Sequence, residues 1–90
     1  MKKYSVVLLS SAEKALKRLD KPVQEKILKW LRETLEGCEN PRWKGTNLIN
    51  HPKGNWRYRV GDYRIFAQIQ DDKVVILIVD VKKRNDAYKK

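Results

Sequence analysis

The run Gly54-Asn55-Trp56-Arg57-Tyr58-Arg59-Val60-Gly61-Asp62-Tyr63-Arg64-Ile65-Phe66 leaves the backbone few choices. Two short segments rich in aromatic and β-branched residues flank a Gly-Asp step, the spacing of a tight hairpin whose first turn residue takes positive φ. With Gly61 and Asp62 as the turn, Val60 faces Tyr63, Arg59 faces Arg64 and Tyr58 faces Ile65. Alternation along each strand then sends Trp56, Tyr58, Val60, Tyr63 and Ile65 towards a core and Arg57, Arg59 and Arg64 to the opposite face. Two guanidinium groups directly opposite each other repel, which costs stability unless an anion lies between them. The pattern asks for a phosphate.

The remaining composition agrees with an anionic partner. The chain has 90 residues, with 21 Lys and Arg against 11 Asp and Glu, a formal net charge of +10 and a sequence pI near 9.9. A charge excess of this sign points to nucleic acid or an acidic protein and is silent on fold. The length suits one small domain spanning 1–90 with a single core. A lone Cys38 supplies neither an intramolecular disulfide nor a zinc site, and no Cys/His ligand cluster, phosphate-binding glycine loop or serine triad is present, so no cofactor or metal is expected. The apolar run Val6 to Leu9 is too short for a signal-peptide core or a membrane span, and a cytoplasmic location with no membrane partner is expected.

Along the chain, Lys3 to Leu9 reads as a first strand, apolar on both faces at Val6-Val7-Leu8-Leu9 and so expected to be interior or covered. Ser10-Ser11-Ala12-Glu13 has the spacing of a capping box, and Ala12, Ala15, Leu16 and Leu19 recur at helical intervals behind it. Asp20-Lys21-Pro22 breaks that helix and opens a second one, from Pro22 to Glu36, whose inward stripe holds Val23, Ile27, Trp30, Leu31, Thr34 and Leu35. Gly37 is placed to end it in the left-handed conformation. Glu39 to Gly54 carries repeated breakers and reads as irregular. Strands are expected at Asn55 to Val60, Tyr63 to Gln70 and Lys73 to Val81, with Asp71-Asp72 as a second tight turn and the last strand central and covered on both faces. The fold class is α+β, in the order β-α-α-β-β-β: a helical hairpin on one face of a twisted, mostly antiparallel four-stranded sheet. The other face carries the arginines.

This element order, the Gly-x-Trp-Arg-x-Arg-Val-Gly-Asp-Tyr-Arg-Ile block and the terminal Lys83-Arg84 with Tyr88 together resemble the RelE/ParE superfamily of bacterial toxins, on its RelE branch. The likeness covers nearly the whole chain. It implies a type II toxin–antitoxin system, a ribosome-dependent cut of messenger RNA in the A site, and inhibition by a cognate antitoxin. It also implies contact with operator DNA only through the antitoxin complex. By the same resemblance Arg57 and Arg59 stand where the family has two basic residues before the hairpin turn, and Arg64 matches its phosphate clamp. Arg84 matches the arginine that stabilises or protonates the leaving group, and Tyr88 the C-terminal tyrosine that orients a base. Lys44, Lys53, Lys82 and Lys83 are the expected RNA contacts around them.

Metal-free cleavage of RNA by its own 2′-hydroxyl needs a proton acceptor, cations for the phosphorane and a proton source for the 5′-oxygen. Relatives often place lysines at the first pair. Arginine stays protonated, so Arg57 and Arg59 suit clamping better than general-base chemistry. Imidazole as a side-chain type changes charge near neutral pH, so His51, the single histidine, is a candidate base, with Tyr88 as another. Trp43, between Arg42 and Lys44, is either a lid over the core or an RNA contact. Two further readings stand beside the nuclease: a ParE-like inhibitor of DNA gyrase, and a basic module that binds only its antitoxin or operator.

Overall fold

Helical stripes and alternating strands converge on one side of a five-stranded sheet in the computed structural model, which describes residues 2–84. The strands are β1 (Ser5–Leu8), β2 (Thr46–His51), β3 (Gly54–Val60), β4 (Tyr63–Gln70) and β5 (Val75–Lys83), in the order β1-β5-β4-β3-β2. β1 runs parallel to β5, and the other neighbours are antiparallel. Between β1 and β2 the chain forms α1 (Ser10–Lys17) and α2 (Lys21–Trp30). A wider turn over Leu31–Leu35 prolongs α2, with Glu36 N–H donating to the Leu31 carbonyl at 2.9 Å, five residues back.

Both helices press on the same face. Ala12 and Leu16 of α1, with Ile27, Leu31 and Leu35 of α2 and its extension, pack against Tyr58, Ile65, Ile69, Ile76 and Ile78, all buried. Pro22 falls in the first turn of α2, where its missing N–H is harmless. Gly37 adopts φ +80° and returns the chain to β1, donating its N–H to the Tyr4 carbonyl at 2.7 Å. The hairpin forms in the expected register, with Val60 opposite Tyr63 and Arg59 opposite Arg64, and Gly61 at φ +57°. Among the described residues no helix is long and apolar enough to cross a membrane.

The architecture differs from expectation in five places, the first being β1, which lies at the edge of the sheet with Val7 exposed rather than in its interior. The stretch read as irregular contains β2, making the sheet five-stranded; its pairing with β3 is interrupted between Asn47 and His51, and Asn50 sits at φ +54°. An edge strand so broken, with mostly exposed residues, carries little periodic signal. The β4–β5 connection spans residues 71–74 rather than two, since Gln70 pairs with Val75 and Val74 takes φ +55°. The expected capping box is absent: Ser10 is already helical, and the Ser11 hydroxyl donates to the Val79 carbonyl at 2.6 Å. Finally, β5 lies inside the sheet but is covered on one face. Ile76 and Ile78 are buried, whereas Val75, Leu77 and Val79 on the helix-free face remain half-buried.

One irregularity shapes the functional face. Phe66 pairs with Asp80 and Ala67 with Ile78, so Val79 is an extra residue on β5. A bulge of this kind reverses the facing of everything beyond it. Before the bulge Ile76 and Ile78 point to the core; after it Val81 does. Asp80 and Lys82 are thereby transferred to the arginine face, opposite Phe66 and Arg64.

Candidate phosphate-binding cleft

β2 begins where Thr46 pairs with Arg57, so the last part of β3 has no strand on its outer side. A cleft of about 550 Å³ opens at this bare edge. Arg57 and Arg59 of β3, Arg64 of β4 and Arg84 just past β5 line it, with Lys44, Gly45 and Thr46 of the segment entering β2 as the facing wall. Trp30 and Tyr58 complete it, their rings 5.6 Å apart and tilted at 57°. Four guanidinium groups and one ammonium around one opening match a phosphate diester: planar N–H forks bind two oxygens at once, and the summed field favours an anion.

Three devices place the cations. Arg59 and Arg64 sit opposite each other because the two-residue turn dictates the register. Arg64 is only 6% exposed and forms the floor, whereas Arg59 is exposed at the mouth. Arg84 is drawn in by its backbone, whose N–H donates to the Asp62 carbonyl of the hairpin turn at 2.6 Å. Lys44 stands on a segment tied down on both sides. The Trp56 indole N–H donates to the Lys44 carbonyl at 2.7 Å, and the buried Tyr58 hydroxyl donates to the Pro41 carbonyl at 2.5 Å. Gly45 passes so close to β3, at φ +95°, that a Cβ there would collide with the Arg57 carbonyl and the Trp56 indole nitrogen.

The Arg42 guanidinium makes a two-pronged ion pair with Asp71, both contacts 2.9 Å, and lies 5.8 Å from the centre of the Trp56 ring. Tyr4 donates its hydroxyl to the same carboxylate at 2.7 Å. The hydrogen bonds from Arg42 and Tyr4 hold the Asp71 carboxyl at about 2, below its ordinary range, and the Tyr4 phenol is pushed up in return. Burial, more than any neighbouring charge, pushes the Tyr58 phenol up, so it lines the cleft as a neutral hydroxyl. Sequence reasoning missed this anchor, because Tyr4, Arg42 and Asp71 are far apart in the chain and meet only after folding. It also assigned Trp30 to the core alone, whereas the ring is half-buried there and lines the cleft as well.

The other candidates lie elsewhere. The His51 ring stacks on Phe66, centroids 5.1 Å apart and 12° from parallel, and its Nδ1 accepts the Lys53 backbone N–H at 3.1 Å; it is not among the lining residues. The Lys53 ammonium is paired with Asp80. Lys53, Lys82 and Lys83 line a second cavity, of about 590 Å³, between α1 and the end of β5, which Arg18, Leu19 and Asp80 help to enclose. Tyr88 lies outside the described residues. Trp43 is 79% exposed, so it is no lid over the core.

A family model described as the ParE toxin of the type II toxin–antitoxin system parDE matches residues 6–88. Among solved structures, the archaeal RelE–RelB complex from Pyrococcus horikoshii is similar at 30% identity and a TM-score of 0.70, covering 91% of this chain and 96% of that one. The intact E. coli RelBE toxin–antitoxin complex is similar at 29% identity and a TM-score of 0.68, covering 89% and 95%. The RelBE2 toxin–antitoxin complex from Mycobacterium tuberculosis shares the fold at 24% identity and a TM-score of 0.81, covering 93% and 94%. Comparison with curated protein sequences gives no match. The two helices on a mixed sheet, the arginine hairpin at its open edge and the match across residues 6–88 lead to one conclusion: the chain belongs to the RelE/ParE superfamily and is a toxin of a type II toxin–antitoxin system.

Proposed function

We propose that this toxin is a ribosome-dependent endoribonuclease that cuts messenger RNA in the A site by metal-independent attack of a 2′-hydroxyl on its own 3′-phosphate. The observation that carries the reading is the grouping of Arg57, Arg59, Arg64 and Arg84 around one opening. In the reaction the 2′-oxygen bonds to phosphorus, the bond from phosphorus to the 5′-oxygen breaks, and a 2′,3′-cyclic phosphate and a 5′-hydroxyl result. Negative charge grows on the non-bridging oxygens as the phosphorane forms, where fixed guanidinium groups stabilise it more than the ground state. Arg64, on the floor of the cleft, suits the clamp. Arg84, held on the hairpin turn, suits the leaving oxygen. Tyr88 is assigned to the base of the reacting nucleotide.

Arginine does not give up its proton, and the Tyr58 phenol in the cleft is held neutral by burial. Rate enhancement therefore rests chiefly on electrostatic stabilisation and positioning. His51 stands on the sheet face beside Phe66, and its part as proton acceptor is read out by the pH profile of the His51→Ala variant. A cognate antitoxin is the proposed regulator, in keeping with the complexes in which the solved relatives occur and with the uncovered cationic face.

Primer extension on a message under translation tests the nuclease. Cleavage within codons is expected from the wild type and should fall at least about a hundredfold in Arg64→Ala and in Arg84→Ala, in line with loss of one preorganised charge at the transition state. A ParE-type gyrase inhibitor would leave the message intact and trap broken DNA. That result would overturn the proposal.

A further inference from the structure

Trp43 and Ile49 are the two most exposed large apolar side chains among the described residues, and Trp43 is the aromatic one, on a backbone fixed on either side of it. We infer that its indole is a stacking platform for a nucleobase of single-stranded RNA, one or two nucleotides from the phosphate held in the arginine cleft; this rests on the nuclease reading. The side chain is 79% exposed, whereas Trp30 and Trp56 are half-buried against the core. The segment carrying it is held in place. Its own N–H donates to the Asn40 carbonyl at 3.1 Å, Arg42 before it is bound through both guanidinium nitrogens to Asp71, and the Lys44 carbonyl after it accepts the Trp56 indole N–H. Lys44, one residue on, lines the cleft, which puts the Trp43 backbone about 4 Å from that of a lining residue.

A rigid aromatic beside a cationic groove is the arrangement by which proteins hold unpaired strands: cations track the backbone, and a ring takes the base by stacking, which every base permits. The surroundings favour RNA over a protein partner. Tryptophan anchors at protein interfaces are ringed by contacts that exclude water. Of the residues flanking Trp43, Asn40, Arg42, Lys44 and Gly45 are exposed and offer no apolar side chain, and Pro41 is buried.

The experiment is anisotropy with the purified full chain and two labelled, uncleavable probes: a 2′-O-methyl RNA heptamer and an abasic 2′-O-methyl backbone of equal length. Wild type should bind the base-bearing probe about tenfold more tightly than the abasic one. Trp43→Ala should lose most of that preference, keeping only the share due to Tyr88, while binding the abasic probe as wild type does, and Trp43→Phe should keep most of it. A preference undiminished in Trp43→Ala overturns the inference. So does unchanged RNA binding accompanied by lost antitoxin binding, which would assign Trp43 to the protein partner. Arg64→Ala should weaken both probes equally. If it does so while Trp43→Ala changes nothing, the cleft reading stands and the platform falls. If neither probe binds the wild type, the platform falls, and the nuclease reading is decided by primer extension on the translated message.

Discussion

Replacing Arg59 by glutamine should raise the stability of the free toxin at low salt, because the hairpin register sets two guanidinium side chains opposite each other. The residues closing a two-residue hairpin loop exchange backbone hydrogen bonds, so the next pair, Arg59 and Arg64, faces across a non-hydrogen-bonded site where side chains approach most closely. Guanidinium groups that splay to about 7 Å repel by about 0.6 kcal/mol in a medium like bulk water and by about 2.4 kcal/mol at an effective dielectric of 20. Arg59 is exposed, which places the pair near the lower figure. That figure lies within the range of about 0.2–1 kcal/mol for like charges facing across strands. For a chain of this length a gain of about 0.6 kcal/mol raises Tm by roughly 2–5 °C. Thermal melts of Arg59→Gln and wild type in about 10 mM salt should show this rise, shrinking as salt approaches about 0.5 M and the Debye length falls below the separation of the groups. Inorganic phosphate at matched ionic strength should stabilise the wild type more than the variant, by linkage to the folded state. A variant that melts below wild type at low salt, or equal stabilisation of both by phosphate, would refute the idea that the two arginines converge on one anion.

Two further outcomes test the frame of the cleft. Gly45→Ala places a methyl group against the Arg57 carbonyl and forces a positive φ on alanine; it should cost about 1–3 kcal/mol in chemical denaturation and weaken phosphate binding by displacing Lys44. The Asp71 carboxyl, lowered from 3.8 to about 2 by its hydrogen bonds with Arg42 and Tyr4, contributes stability that is complete above its unfolded value and is lost as pH falls from about 4 to about 2. Asp71→Asn should be less stable than wild type at neutral pH, and the gap in Tm should narrow through that window. A gap that stays constant would count against the anchor.

Local periodicity carried much of the architecture. The hairpin, its register and the separation of arginines from aromatics follow from alternation about Gly61-Asp62, because a two-residue turn admits one pairing. The two helices and the breaks at Pro22 and Gly37 were equally legible, as both residues constrain the backbone locally. The block Trp56 to Ile65 by itself resembles the toxin superfamily to which the chain belongs. β2 was not legible, since an interrupted edge strand with mostly exposed residues shows neither alternation nor a stripe.

Tertiary structure alone decided what the cations surround. The bulge at Val79 turns Asp80 and Lys82 onto the arginine face, although nothing in the apolar run before it announces the extra residue. The late start of β2 leaves an open edge beside Arg59, and the Arg84 amide meets the Asp62 carbonyl where the pairing of β4 with β5 runs on to the hairpin turn. Periodicity reports on neighbours one turn or one pleat away. Strand order, bulges and backbone contacts between distant segments arise from packing the whole chain, and they brought Arg84 to the cleft while leaving His51 beside Phe66.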